Sequence, residues 1–336
     1  MNIDQLAKTA NEMVADYKGL LAVDESTGTI GKRLDSISVE NTGDNRRDYR
    51  ELLFRAKGLG QFISGVILYD ETIRQDAADG TPLVKLLQDE GIIPGIKVDT
   101  GAKDLPGSAG ENITEGLDGL PARVEEYVGL GARFAKWRAV ITIGDHLPSR
   151  YSIHANAHAL ARYAKICQEG GLTPVVEPEV LINGDHVIDR CDQVTTLTLN
   201  TLFDELYAQD VSLEGMILKP NMVISGSDCE SRAGVDEVAG RTVECLKRCV
   251  PAAVPGVMFL SGGQSEEEAT AHLNAMIANA GPTPWKLTYS YARALQQSCL
   301  KTWHGEAGNV NAAQEVLLER ARANSAASAG TYNKAA

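Results

Sequence analysis

The chain has 336 residues, 43% hydrophobic and 23% charged, with 32 Lys plus Arg against 45 Asp plus Glu and a formal net charge of −13. That length suits one barrel-sized domain of about 250 residues with additions, and no apolar run reaches the roughly 18 residues that a membrane helix needs. The acidic balance argues against general affinity for nucleic acid or anionic membranes, but it leaves room for a locally positive site that takes an anionic substrate.

Residues 1–17 mix Asp, Lys and Glu with apolar residues at helical spacing, which predicts an N-terminal helix rather than a secretory signal and points to a cytoplasmic protein. Short apolar runs then recur at 20–24, 63–69, 92–99, 132–140, 172–179, 213–219, 255–263 and 285–293. A helical rhythm fills 44–57, 150–168 and 235–249 between them. A last helix is expected over 311–324, and the Ala/Ser/Gly-rich stretch 325–336 reads as a flexible C-terminal tail. The expected organisation is therefore a barrel domain over 1–324 followed by that tail.

Eight strand candidates roughly 30 to 45 residues apart, most separated by helix-like segments, imply parallel pairing, because parallel strands need a long crossover. The count favours an α/β fold, a single (β/α)8 TIM barrel, over an open doubly wound sheet, which the same alternation also allows.

Several of these runs end in an ionisable residue. Lys219 closes the sixth, and Pro220 stops it immediately afterwards. Burying a lysine lowers its pKa from near ~10.4 and makes the free amine available as a nucleophile toward carbonyl carbon. A single strand-end lysine would ordinarily snorkel to solvent, and any one charge here reads as a solvated rim residue. Repetition changes the reading. In a barrel the C-terminal ends of different strands converge on one mouth, so Asp24, Lys97, Lys136, Arg138, Glu177, Glu179, Lys219, Ser261 and Arg293 would line one cavity. The cations would bind an anion, and the carboxylates would move protons and hold the cations in place. Ser261-Gly262-Gly263 follows the seventh strand, where barrels commonly bind phosphate through backbone N–H groups, and Arg293 could close on the same group.

The segments Leu-Ala-Val-Asp-Glu-Ser-Thr-Gly (21–28), Gly-Ile-Lys-Val-Asp (95–99), Phe-Ala-Lys-Trp-Arg (134–138), Val-Glu-Pro-Glu (176–179), Leu-Lys-Pro-Asn-Met (218–222) and Phe-Leu-Ser-Gly-Gly-Gln-Ser-Glu-Glu-Glu-Ala (259–269) resemble the class I fructose-bisphosphate aldolase family, in the family's order and over nearly the whole chain. The resemblance implies reversible cleavage of fructose 1,6-bisphosphate to dihydroxyacetone phosphate and glyceraldehyde 3-phosphate, in glycolysis and gluconeogenesis, by a homotetramer that needs no cofactor and no metal. It makes Lys219 the Schiff-base lysine and Glu177 the acid/base for carbinolamine dehydration, with Lys136 beside it and Glu179 holding the lysines. Asp24 corresponds to the group that takes the C4 hydroxyl proton. Ser261, Gly262 and Arg293 correspond to the C1-phosphate site, Ser290 is a further substrate-binding residue, and Ser26, Thr29, Lys32, Arg33, Lys97 and Arg138 correspond to groups near the C6 phosphate or the open-chain sugar.

Two departures stand out. Ala292 occupies a position where the family usually has Gly, which would matter if that backbone needed positive φ. The chain also ends at Tyr332-Asn-Lys-Ala-Ala336, without the longer tail whose terminal Tyr assists proton exchange in many members. The six cysteines are widely spaced, with no CxxC pair, as expected of buried thiols in a reducing compartment. His154 and His158 have the i,i+4 spacing of a zinc helix but lack the Glu of the metalloprotease motif, so no metal is expected there.

Overall fold

The computed structural model describes residues 2–333. The strands are β1 (Gly19–Val23), β2 (Ile63–Leu68), β3 (Ile93–Lys97), β4 (Gly101–Asp104), β5 (Asn112–Glu115), β6 (Phe134–Ile141), β7 (Thr173–Val180), β8 (Ile217–Leu218), β9 (Gly256–Phe259) and β10 (Lys286–Tyr291). Eight of them close a parallel barrel in the order β1-β10-β9-β8-β7-β6-β3-β2. All eight predicted runs contribute a strand, and closure excludes the open sheet. The barrel strands are buried almost along their whole length, as parallel strands covered by helices on one side and a filled interior on the other must be.

Two apolar cores share these strands. The larger lies between the barrel and its helices. The smaller fills the barrel: Leu20, Ala22, Ile67, Ile93, Phe134, Val175, Ile217 and Met258 point inward, and Ala10, Met13 and Val14 from the N-terminal helix (Ile3–Met13) and its end close the floor. Gly95 makes room for this packing, since a Cβ there would fall 2.2 Å from the Phe134 ring.

Three details differ from the expectations. The run 213–219 is a strand only at Ile217–Leu218; Leu213–Gly215 is a 3₁₀ turn, and Pro220 removes the donor needed to continue. An antiparallel hairpin, β4 with β5, projects after β3; its short, largely exposed strands carry little apolar alternation. The C-terminal helix runs Val310–Ser328, so the tail placed at 325 starts too early. Alanine has the highest helix propensity, and Ala327 is fully buried, so the helix has reason to continue. Tyr332 then packs against the outer core, its N–H donating to Asn274 Oδ1 at 2.9 Å. Lys334, Ala335 and Ala336, the remainder of the expected flexible tail, lie outside the described residues.

Candidate active site

Side chains on a strand alternate between its two faces, so the residue two or four positions beyond an inward apolar residue also points inward. Ala22 is followed in this way by Asp24, Ile93 by Lys97, Phe134 by Lys136 and Arg138, Val175 by Glu177 and Glu179, and Ile217 by Lys219. The apolar members fill the barrel, and the charged ones fall at its C-terminal mouth. The same period of two thus builds both the packed interior and the polar site above it.

Lys219, Lys136 and Glu177 are 3%, 4% and 3% exposed. A charge so far from water must be paired, and each of these is. Glu177 bridges two ammonium groups: its Oε1 lies 3.2 Å from Lys219 Nζ and its Oε2 3.2 Å from Lys136 Nζ. Lys136 Nζ also donates to Asp24 Oδ2 at 2.8 Å. Glu177 Oε2 accepts no aligned hydrogen bond, which leaves it capacity for a substrate proton. Burial alone would push the Asp24 carboxyl up, but the Lys136 and Lys219 charges outweigh it and hold Asp24 well below the usual carboxylate range. Burial likewise disfavours the Lys136 ammonium, and Asp24 and Glu177 more than compensate, so Lys136 is held above the ordinary lysine value.

Strand register explains who pairs with whom. Lys136 stands opposite Val175 and Arg138 opposite Glu177, so each cation reaches the carboxylate two residues further along β7: Lys136 reaches Glu177, and Arg138 reaches Glu179. This corrects the expectation that Glu179 holds the lysines. Its partner is the Arg138 guanidinium, because Lys136 is one diagonal step too far back. Lys97 lies opposite Lys136 on β3 and is held by Asp99, at 2.9 Å from Nζ to Oδ1.

Around the rim, Ser26 caps the helix Thr27–Asp35, its Oγ 3.1 Å from Thr29 Oγ1, and Lys32 and Arg33 lie on the same helix. Arg33 is paired with Glu25, while Lys32 and Thr29 are exposed. Two strands round the barrel, after β9, Gly262 (φ +52°) and Gly263 (φ +95°) follow Ser261 in a left-handed conformation that favours glycine. A Cβ on Gly263 would lie 3.7 Å from Arg293 Nη2, and one on Gly262 would lie 3.8 Å from Glu179 Oε1, so this turn sits between the arginine and the acid. Ser290 is buried with a hydroxyl that has no partner among the described residues. Ala292 has φ −102° and ψ −88°, so the departure from Gly introduces no positive-φ strain.

Sequence reasoning named no role for Glu25, Arg50, Asp99 or Asn221. Arg50 is fully buried and donates to the Glu25 carbonyl at 2.9 Å and to Glu71 at 3.0 Å, which fixes the chain just after Asp24. Asp99 accepts from the Arg138 N–H at 3.3 Å as well as pairing with Lys97. The one available signal was Asp99's place two residues after Lys97, on the same face; a buried arginine on a helix leaves none. His154 and His158 both rest against Glu205, at 3.0 and 2.9 Å. Among the described residues, no group of three or more His, Cys, Asp or Glu is arranged to hold a metal ion. All six cysteines are free, and five are buried.

The family model for fructose-bisphosphate aldolase class-I matches residues 5–336. The chain belongs to the class I fructose-bisphosphate aldolase family. It is thus a lyase of the metal-independent class. It is 58% identical over 333 residues, 99% of each chain, to a probable fructose-bisphosphate aldolase class 1 of Xanthomonas campestris pv. campestris. With fructose-bisphosphate aldolase cytoplasmic isozyme 2 of Pisum sativum it shares 54% identity over 99% of this chain and 92% of the other. The solved Plasmodium falciparum fructose-bisphosphate aldolase, in complex with TRAP and a small-molecule inhibitor, superposes with a TM-score of 0.98 at 52% identity, covering 99% of this chain and 96% of that one.

Proposed function

We propose that Lys219 forms the Schiff base through which this aldolase reversibly cleaves fructose 1,6-bisphosphate to dihydroxyacetone phosphate and glyceraldehyde 3-phosphate. The observation that carries this reading is the buried Glu177 carboxylate, set 3.2 Å from both the Lys219 and the Lys136 ammonium nitrogens. Glu177 first takes a proton from the Lys219 ammonium 3.2 Å away, the freed amine attacks the C2 ketone to give a carbinolamine, and Glu177 returns that proton to the carbinolamine hydroxyl, which leaves as water to give the iminium. Asp24 takes the C4 hydroxyl proton as the C3–C4 bond breaks. The bond's electrons pass to the iminium nitrogen, giving an enamine and free glyceraldehyde 3-phosphate. Protonation at C3 and hydrolysis of the imine release dihydroxyacetone phosphate and restore Lys219. Asp24, held ionised by Lys136, is a weak base, but the departing proton becomes strongly acidic as its oxygen turns into an aldehyde carbonyl. Lys136 stays charged throughout and keeps both carboxylates oriented.

Substrate phosphates meet two separate clusters in this reading. Ser261, Gly262, Ser290 and Arg293 take the C1 phosphate through the left-handed turn, the buried hydroxyl and the guanidinium. Ser26, Thr29, Lys32, Arg33, Lys97 and Arg138 take the C6 phosphate and the open-chain sugar; Arg33, Lys97 and Arg138 are already held by Glu25, Asp99 and Glu179. Tyr332 receives no role in enamine protonation.

The site is assigned no cofactor, since the iminium itself is the electron sink. The protein is read as cytoplasmic, on the strength of relatives named cytoplasmic or cytosolic isozymes; no helix among the described residues is long and apolar enough to cross a membrane. A homotetramer is consistent with Tyr151, Val187, Leu197 and Tyr207, large apolar side chains left exposed on and beside two consecutive outer helices. Light scattering tests the assembly. Borohydride reduction in the presence of dihydroxyacetone phosphate, followed by peptide mapping, tests the mechanism: the adduct is expected on Lys219, and a label on another lysine would refute it.

A further inference from the structure

The two strands that carry the central acid and amine lose their ladder just where those residues sit. β7 and β8 pair only at Val175–Ile217 and Val176–Leu218, and the last backbone bond between them runs from Lys219 N–H to the Val176 carbonyl at 2.8 Å. In a parallel ladder the next bond would come from the N–H of residue 178 to the Lys219 carbonyl. That residue is Pro178, which has no N–H to offer; Pro220, after Lys219, faces the other neighbour, its carbonyl accepting from the Leu260 N–H at 3.1 Å. The gap is closed by a side chain: Asn221 Oδ1 accepts from the Val180 N–H at 3.0 Å. The amide's other end is fixed as well, since Nδ2 donates to Thr195 Oγ1 at 3.1 Å and to the Met222 carbonyl at 3.0 Å. Asn221 and Thr195 are both buried, and Thr195 lies on the helix Ile188–Ala208 outside the barrel.

We propose that Asn221 is a positioning residue for the Lys219–Glu177 pair, its side-chain amide replacing the strand ladder that Pro178 interrupts. The inference rests on the reading of Lys219 as the Schiff-base lysine and adds what holds that lysine in register. Between the Lys219–Val176 backbone bond and the bond from the Ser227 N–H to the Ile182 carbonyl at 2.8 Å, the amide is the neutral hydrogen bond that ties the ends of β7 and β8, and the 3.2 Å separation of Lys219 from Glu177 depends on their spacing. Pro178 ends the ladder at the mouth, and Asn221 restores the lost constraint beyond it.

The test measures the rate of borohydride trapping with dihydroxyacetone phosphate, together with kcat and KM for fructose 1,6-bisphosphate, in Asn221→Ala. Since a displacement of about 1 Å at a reacting centre can cost ~10²-fold, trapping and kcat should fall about 10-fold or more while KM stays within about twofold. Hydrogen exchange at the Val180 amide should accelerate in the same variant, and circular dichroism should report a folded protein. A folded Asn221→Ala enzyme that traps and turns over within about twofold of the parent overturns the proposal. If Asn221→Ala does not fold, Thr195→Val decides. It keeps the helix packing but removes one anchor of the amide, so a smaller loss of trapping rate at unchanged KM supports the proposal, and an unchanged trapping rate overturns it. Failure of the parent protein to trap on Lys219 would instead defeat the mechanistic reading of the site and is distinguished by that control.

Discussion

Replacing Lys136 by methionine tests the electrostatic account of the site most directly. The ammonium lies 2.8 Å from Asp24 Oδ2 and 3.2 Å from Glu177 Oε2, and it is 4% exposed. Methionine keeps the length and apolar stem of the side chain, so the perturbation is chiefly the loss of one positive charge between two carboxylates. Removing one partner of a buried pair costs about 3–5 kcal/mol, because it leaves an uncompensated charge behind. At about 2–4 °C per kcal/mol for a chain of this size or somewhat smaller, that corresponds to a melting temperature lower by roughly 10 °C. The pH dependence follows from Asp24. Its folded-state pKa lies below its unfolded value, so its pairing contributes stability above the unfolded pKa that is lost as pH falls through the folded one. Loss of Lys136 lets Asp24 take up a proton at higher pH. The gap in melting temperature between parent and variant should therefore be full at pH 7.5 and narrow as the pH falls below the ordinary aspartate value of 3.8. Differential scanning calorimetry across that range is the assay. A variant that melts within 2 °C of the parent at pH 7.5, with a gap independent of pH, would refute the charge balance drawn here.

Other outcomes follow from the same geometry. Lys219→Arg should abolish cleavage, by about 10³-fold or more, while circular dichroism stays native, because a guanidinium remains protonated and forms no imine; near-normal turnover removes Lys219 from the mechanism. Chelation with EDTA should leave turnover unchanged, and lost activity that added metal restores would contradict the iminium route. Ala292→Gly should change KM for fructose 1,6-bisphosphate by less than about threefold, since the backbone at Ala292 already has negative φ; a large drop in KM would mean that the Ala292 methyl crowds the phosphate.

Which parts of the site were legible depends on how far apart the interacting residues lie. Lys219, Glu177 and Asp24 could be found because each ends an apolar run, and the period of two that packs Ile217, Val175 and Ala22 inside also aims these residues at the mouth. The partner of Glu179 could not be found in this way. Whether it meets a lysine or an arginine depends on β6 and β7 pairing with Arg138 opposite Glu177, and shifting that register by two residues would bring Lys136 to Glu179 without altering any local pattern. Arg50 gives no local sign of burial at all, as it occupies an ordinary polar position on a helix until Glu25 and Glu71 are folded against it.

The amino-acid order alone determined the alternation of strand and helix, the number of barrel strands and the kinds of chemistry at their ends, because periodicity and residue type are properties of neighbours in the chain. Tertiary structure decided the rest: the closure of the barrel, the diagonal ion pairs, the β4–β5 hairpin, the extra turn of helix to Ser328, and the amide of Asn221 taking the N–H of Val180 on the neighbouring strand. Those features are distances between residues remote in sequence. They are set by strand register and packing, which no short window of the chain contains.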